Sequence, residues 1–411
     1  MRPESENLRH NRDFLKLWSA QTISVFGTQT ASLAYPLTAI LVLNASAFEM
    51  GVLRAAASAS AVLVGFFAGV IVDRAARKPL LITTDLGRAF LALLIPIFAF
   101  LGILRIEYLY VISFFAGALN ITSEVAAMSF LPSLVKKENL VEGNSKFAAT
   151  DSLAAIAGPG LSGFLIQMLS APITILIDAV SFVFSAVFVW MIHTPEQQKI
   201  EANAERKSVR SEIAEGFGFV YKSAILRPLA EAIALHFLFM LVISTIFMLY
   251  AIRELNLQPL ILGVIFSAFG FGFLSGALIV KRLTNRFGQG KIMVFATLLN
   301  ASASLLIPWA SGSTAVLVLF VAHFLLAFGI QIHGINLMSL RQSITPDNLQ
   351  GRMNGSFRFV NVCMMMLGAL FAGFLGEYIG LRNTLLIGAI GMFAPFLRLF
   401  FSPVRNFTAQ R

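Results

Sequence analysis

Asp73, Arg74, Arg77 and Lys78 crowd together shortly after Gly69, with long apolar runs on either side. One carboxylate among three cations, with no nucleophile beside it, is suited to electrostatic contact rather than covalent chemistry. A second group of ionisable residues lies inside the apolar runs. Glu124 is the first of these, with Asn120 four residues earlier and so on the same helical face. Asp178 sits in the phrase IDAVSF and Asp151 near the end of its run. An ionisable group in such a run is costly to keep and is a functional candidate by default. Glu124 is the leading candidate for taking up and returning a proton, with Asp178 and Asp151 behind it. Asp178 reads first as a helix–helix contact. Asp85 and Arg88, three residues apart, should pair near the same surface as the basic knot. Uncharged polar residues in the runs, namely Gln21, Gln29, Asn120, Gln331, Asn336 and Asn361, could line a cavity. His236, His323 and His333 have no metal-ligand spacing and read as polar wall or core.

The elements that carry these groups follow from composition. The chain has 411 residues, 57% hydrophobic and 13% charged, with a mean hydropathy of +0.79. A backbone in lipid must satisfy every polar group internally, so repeated apolar runs of about 20 residues must be helices. Twelve runs qualify: 17–43, 50–72, 80–102, 108–130, 147–169, 173–192, then 228–252, 259–280, 292–310, 314–338, 353–376 and 384–402. The first is too long for a cleaved leader and reads as a retained span. The 39 Phe suit lipid-facing surfaces and the 30 Gly suit close helix crossings. Net charge is +10. With the amino terminus cytoplasmic and the spans alternating, every Lys and Arg falls on the inner side except Arg54, Arg105, Arg253 and Arg382. The positive-inside rule thus accounts for the charge, and nucleic acid is not expected as a partner. The lone Cys363 excludes a disulfide framework and a cysteine-rich metal site. G-x-x-x-x-G-K-[ST], H-E-x-x-H and G-x-S-x-G are absent, so no hydrolase or ATPase machinery is legible and no enzyme, cofactor or metal is expected.

The expected organisation is a bundle over 1–193, a cytoplasmic linker over 194–227 and a second bundle over 228–411. The linker opens charged and closes amphipathic, with Ile213, Phe217 and Val220 on one helical face, which predicts an in-plane surface helix. The halves echo each other. Gly276 through Arg286 repeats the layout of Gly69–Arg77, and Asp347-Asn348-Leu349 repeats Glu138-Asn139-Leu140 at nearly the same offset. Duplicated six-span halves are a transporter architecture.

The loop G-x-x-x-D-R-x-x-R-K at Gly69, Asp73, Arg74, Arg77 and Lys78 resembles the signature loop of the major facilitator superfamily. The opening RDFLKLWSAQTISVFGTQ, the phrase AGPGLSG and the loop TPDNLQGRMNGSFR are similar to the branch of macrolide efflux pumps and the enterobactin exporter. The resemblance implies an all-α membrane protein with twelve transmembrane helices in two six-helix bundles. It implies an inner gate in which Asp73 faces the start of span eleven near Arg352, whose helix N-terminus favours an anion. It implies that Gly158, Pro159 and Gly163 break span five in the manner tied to antiport. Val280 stands where the first half has Asp73, so that charge contact would exist in one half alone. The function implied is export of a small amphipathic organic compound, drug-like or metabolite, by proton antiport with alternating access. A dedicated exporter of one natural product such as a siderophore, or a transporter-like sensor that moves nothing, are the alternatives. The expected setting is the bacterial inner membrane, multi-pass, both termini cytoplasmic, as a monomer with protons and a small molecule as partners.

Overall fold

A computed structural model describes residues 8–194 and 209–407; within them the side chains of Arg9, Val62, residues 65–71, Asp73, Arg74, Lys137 and residues 209–213 fall outside the description. The described residues contain helices, turns and no strand. In chain order the helices are α1 (Arg12–Ala31), α2 (Ala34–Leu41), α3 (Ala47–Arg74), α4 (Arg77–Phe100), α5 (Ile106–Leu134), α6 (Leu140–Leu169) and α7 (Ala171–Trp190). They continue as α8 (Val209–Lys222), α9 (Leu226–Arg253), α10 (Pro259–Phe287), α11 (Gln289–Trp309), α12 (Ala315–Ile344), α13 (Asp347–Ile379), α14 (Leu381–Gly391) and α15 (Phe393–Phe400). Ten helical segments among the described residues are long and apolar enough to cross a membrane.

The expected first span is divided into α1 and α2 at Ser32–Leu33. Pro36 explains the break: it has no N–H to offer the Ser32 carbonyl four residues back, and its ring crowds that oxygen. A similar break occurs at the last span, where α14 ends at Gly391, four residues before Pro395. The basic knot resolves as the end of α3, a connection at Ala75 and Ala76, and the start of α4. Pro79 falls within the first turn of α4, where a missing N–H costs nothing.

The chain separates into two compact units, one comprising Met1–Ala45 and Ala56–Ala202, the other Ser46–Ala55 and Asn203–Arg411. The beginning of α3 therefore groups with the second unit. In the first unit α1 packs on α6 and α7, and α4 on α5 and α7. Its core gathers Phe14, Leu17, Leu81, Phe130 and Val189, each fully buried.

In the second unit α10 packs on α12 and α9 on α13. The opening of α3 lies against α13 with backbones almost touching. A Cβ on Gly51 would fall 2.7 Å from the Ala369 carbonyl oxygen and 2.8 Å from the Gly373 Cα. Helix α8 is the amphipathic linker helix, but its apolar face is covered by protein. Val220 is buried beside Leu226, Met353 and Phe357, Phe217 meets Phe359 edge-on, and Glu215 bonds Arg352 at 2.9 Å. The amphipathic helix expected from the sequence thus docks its apolar face on α13. The position of Ile213 on that face lies outside the described side chains.

Candidate functional site

A cavity of about 590 Å³ opens within the first unit, walled by α1, α4, α5 and α6. That volume is of the size that holds small organic molecules. Three of the six cavity candidates from the sequence, Gln21, Gln29 and Asn120, line it. So do two of the three proton candidates, Glu124 and Asp151, both exposed rather than buried. Asn120 and Glu124 share a face of α5 because they lie one turn apart. Ser123, Thr28, Asn144 and Arg88 add further polar groups, and Val25, Met128, Leu131 and Phe147 add apolar wall. The lining thus combines both signs of charge, amides and apolar surface, a composition suited to an amphipathic guest.

Helix crossings set these positions. Gly158 of α6 sits on Gln29 of α1 so closely that a Cβ there would lie 2.5 Å from the Gln29 Cβ and 3.0 Å from its backbone carbon. Trp18 of α1 donates its indole N–H to the Thr150 hydroxyl at 3.1 Å, fixing α6 beside it next to Asp151. Helix α6 runs unbroken from Leu140 to Leu169 through Pro159. The Gly-Pro-Gly pattern therefore does not interrupt the helix; Gly158, Pro159 and Gly163 are buried in it. The contact of Gly158 shows close packing against α1.

Asp178 stands behind the cavity in a buried polar cluster. It accepts hydrogen bonds from the Thr28 hydroxyl at 3.2 Å and the Tyr35 hydroxyl at 3.3 Å, joining α7 to α1 and α2. Arg88 donates to Thr28 at 3.3 Å, lies 3.9 Å from Asp85, and stacks over the Phe182 ring at 3.9 Å. Asp85 accepts from the Ser185 hydroxyl at 2.6 Å. The expected Asp85–Arg88 pair exists, but it is 2% and 9% exposed in the bundle interior rather than at the surface. A register that turns the polar face of α4 toward α7 puts it there. Thr28, Tyr35 and Ser185 were missed in the sequence. The signal available was an Arg in one apolar run and an Asp in another, since charges inside spans seek each other.

The remaining candidates lie elsewhere. Gly69, Asp73 and Arg74 belong to α3, but their side chains are outside the described residues. Arg77 starts α4, and Lys78 donates to the Ile192 carbonyl at 2.6 Å, tying that start to the end of α7. In the second unit Asn336 is 3% exposed and spent on packing: its side-chain oxygen accepts from Thr284 and its amide donates to the Ile332 carbonyl. Gln331 packs on Gly276 of α10, and Asn361 is half-buried on α13 with its side-chain oxygen unpaired. His323 is enclosed by Phe247, Phe266 and Phe269, which makes it core. Among the described residues no group of His, Cys, Asp and Glu could hold a metal.

Known proteins agree with this architecture. The multidrug efflux pump Tap of Mycolicibacterium fortuitum is 25% identical over 95% of this chain and 98% of its own. The enterobactin exporter EntS of Salmonella typhi is 26% identical over 90% of this chain and 87% of its own. A crystal structure of a mutant of the nucleoside transporter NupG superposes with a TM-score of 0.78 at 11% identity, covering 95% of this chain and 99% of that one, a likeness of fold alone. The sequence profile of the Major Facilitator Superfamily matches residues 17–369. With its apolar helices and these relatives, the chain is a multi-pass membrane transporter, and it belongs to the Major Facilitator Superfamily.

Proposed function

We infer that this transporter exports a small amphipathic organic compound in exchange for protons, working by alternating access. The observation that carries this reading is the cavity of the first unit, where Glu124 and Asp151 face the same space as Met128 and Phe147. The two carboxylates can be taken in turn by a proton or by a cationic group of the guest, and the apolar wall holds the rest of it. The relatives named for drug and enterobactin export supply the direction of transport. The signature loop at Asp73, Arg74, Arg77 and Lys78 would act as the inner gate. The setting is the plasma membrane, with both termini inside and the chain acting as a monomer.

Inside-out membrane vesicles test this. A panel of chemically unrelated dyes and natural products is offered with and without an imposed pH gradient. At least one compound should accumulate, and an ionophore that collapses the gradient should abolish the uptake. Flux indifferent to the gradient removes proton exchange, and no flux of any compound favours a sensor. The match to a relative named for a single siderophore supports a second reading, a dedicated exporter. That reading expects one natural product to move and every dye to be refused.

A further inference from the structure

The buried cluster behind the cavity contains more carboxylates than cations. Asp85 and Asp178 are each 2% exposed, and Arg88 is 9% exposed. Among the described residues, the groups facing Asp85 are Arg88 and Ser185, and those facing Asp178 are Arg88, Thr28 and Tyr35. The hydroxyls of Ser185, Thr28 and Tyr35 donate hydrogen bonds but bring no charge. One guanidinium balances one carboxylate. A second carboxylate left ionised in the interior of a membrane bundle would be an uncompensated buried charge, which is strongly disfavoured.

We propose that Asp85 and Asp178 together hold one exchangeable proton, with Arg88 as their common cation, and that this site opens on the cavity through Thr28 and Arg88. The opening is geometric: Thr28 and Arg88 both line the cavity, and the Thr28 hydroxyl accepts from Arg88 while donating to Asp178. Release is a plain proton transfer. The carboxyl O–H bond breaks, the proton passes to water in the cavity, and a carboxylate remains beside Arg88. Because the two acids interact through one guanidinium, the proton belongs to the pair rather than to either residue. A cationic group arriving in the cavity beside Arg88 would favour that release by adding positive charge. Assigning this as the proton exchanged for substrate rests on the function inferred above. Its existence as a bound proton does not.

The test uses the full-length protein purified into lipid nanodiscs with no substrate present. Infrared difference spectra between acidic and alkaline buffer read the C=O stretch of protonated carboxyl groups. Charge counting fixes the outcomes. The wild type should show one buried protonated carboxyl. Asp85→Asn and Asp178→Asn should each remove it, because one acid and one Arg are neutral without a proton. Arg88→Gln should add a second. Glu124→Gln and Asp151→Asn should leave the band in place. A wild type without the band, or a band that survives both Asn variants, overturns the proposal. Where an Asn variant does not fold, Ser185→Ala and Thr28→Val serve instead. At least one of them must move the band, since each removes a hydroxyl donated to an acid of the pair, and no movement in either overturns the proposal. A band without proton-driven flux leaves the site standing and removes the exchange reading. Proton-driven flux without a band does the reverse.

Discussion

Replacing Gly27 by Ala should loosen the first unit at the point where it holds the buried cluster. The new Cβ would fall 2.0 Å from the Ser181 Oγ and 2.5 Å from the Ser181 Cβ. The hydroxyl can rotate away, giving up its bond to the Asp178 carbonyl. The Cβ is fixed by the backbone, so α1 and α7 must part by roughly 1 Å, an overpacking that costs about 1–3 kcal/mol. That movement also carries Thr28 away from Asp178, now 3.2 Å distant, at a further cost of about 1 kcal/mol. The expected loss is therefore about 2–4 kcal/mol, read as a lower unfolding temperature of the detergent-solubilised protein. Ser181→Gly in the same chain should restore most of it, since the next neighbour of the added Cβ is the Asp178 Oδ1 at an ordinary 3.4 Å. A single variant as stable as wild type, or a double variant no better than the single, would refute the claim that this crossing is set by the absence of a side chain.

Glu124→Gln should reduce gradient-driven efflux by roughly tenfold or more, the value of a charged hydrogen bond of about 1.5–3 kcal/mol to the guest or the proton, at unchanged protein level in the membrane. At the docked linker helix, Glu215→Ala should cost under about 1 kcal/mol, because the carboxylate bonded to Arg352 is 38% exposed. Gly216→Val should do more: its Cβ would lie 2.5 Å from the Arg352 carbonyl oxygen, which cannot swing aside, so limited proteolysis near α8 should speed up. Asp13 supplies a pH dependence just ahead of the first span. Burial alone would raise its pKa, but hydrogen bonds from Lys16, from the Thr194 hydroxyl and from the backbone N–H groups of His193 and Thr194 outweigh that and hold it at about 2, against the ordinary 3.8. The folded value is the lower one, so the stabilisation is complete above the ordinary value and fades as pH falls through about 2. The difference in unfolding temperature between wild type and Asp13→Asn should shrink across that acid window. A difference that does not change with pH contradicts the assignment.

The helical fold was legible because lipid leaves a backbone one economical answer, and a run of apolar residues therefore names its own secondary structure. The signature loop, the linker helix and the i, i+3 pair of Asp85 and Arg88 were legible for the same reason: each depends on local spacing. What local spacing does not carry is register between helices. Asp85 and Arg88 are adjacent on α4, yet whether they meet water or Asp178 depends on how α4 turns toward α7, and Gly27 against Ser181 helps to fix how α1 meets α7. The cavity was half-read: Gln21, Gln29, Asn120, Glu124 and Asp151 converge, while Asn336, of the same residue class, is consumed by α10 and by its own helix. A polar residue in an apolar run indicates a partner, and the fold decides whether that partner is a guest, a helix or a proton.

The crossing of Gly51 and Gly373 bears on how this gene can be divided. Ser46–Ala55, which holds the opening of α3, groups with the second unit, while the chain from Ala56 onward groups with the first. A fragment cut at the central linker would leave the Gly373 backbone on α13 without the turn of helix around Gly51 that lies against it.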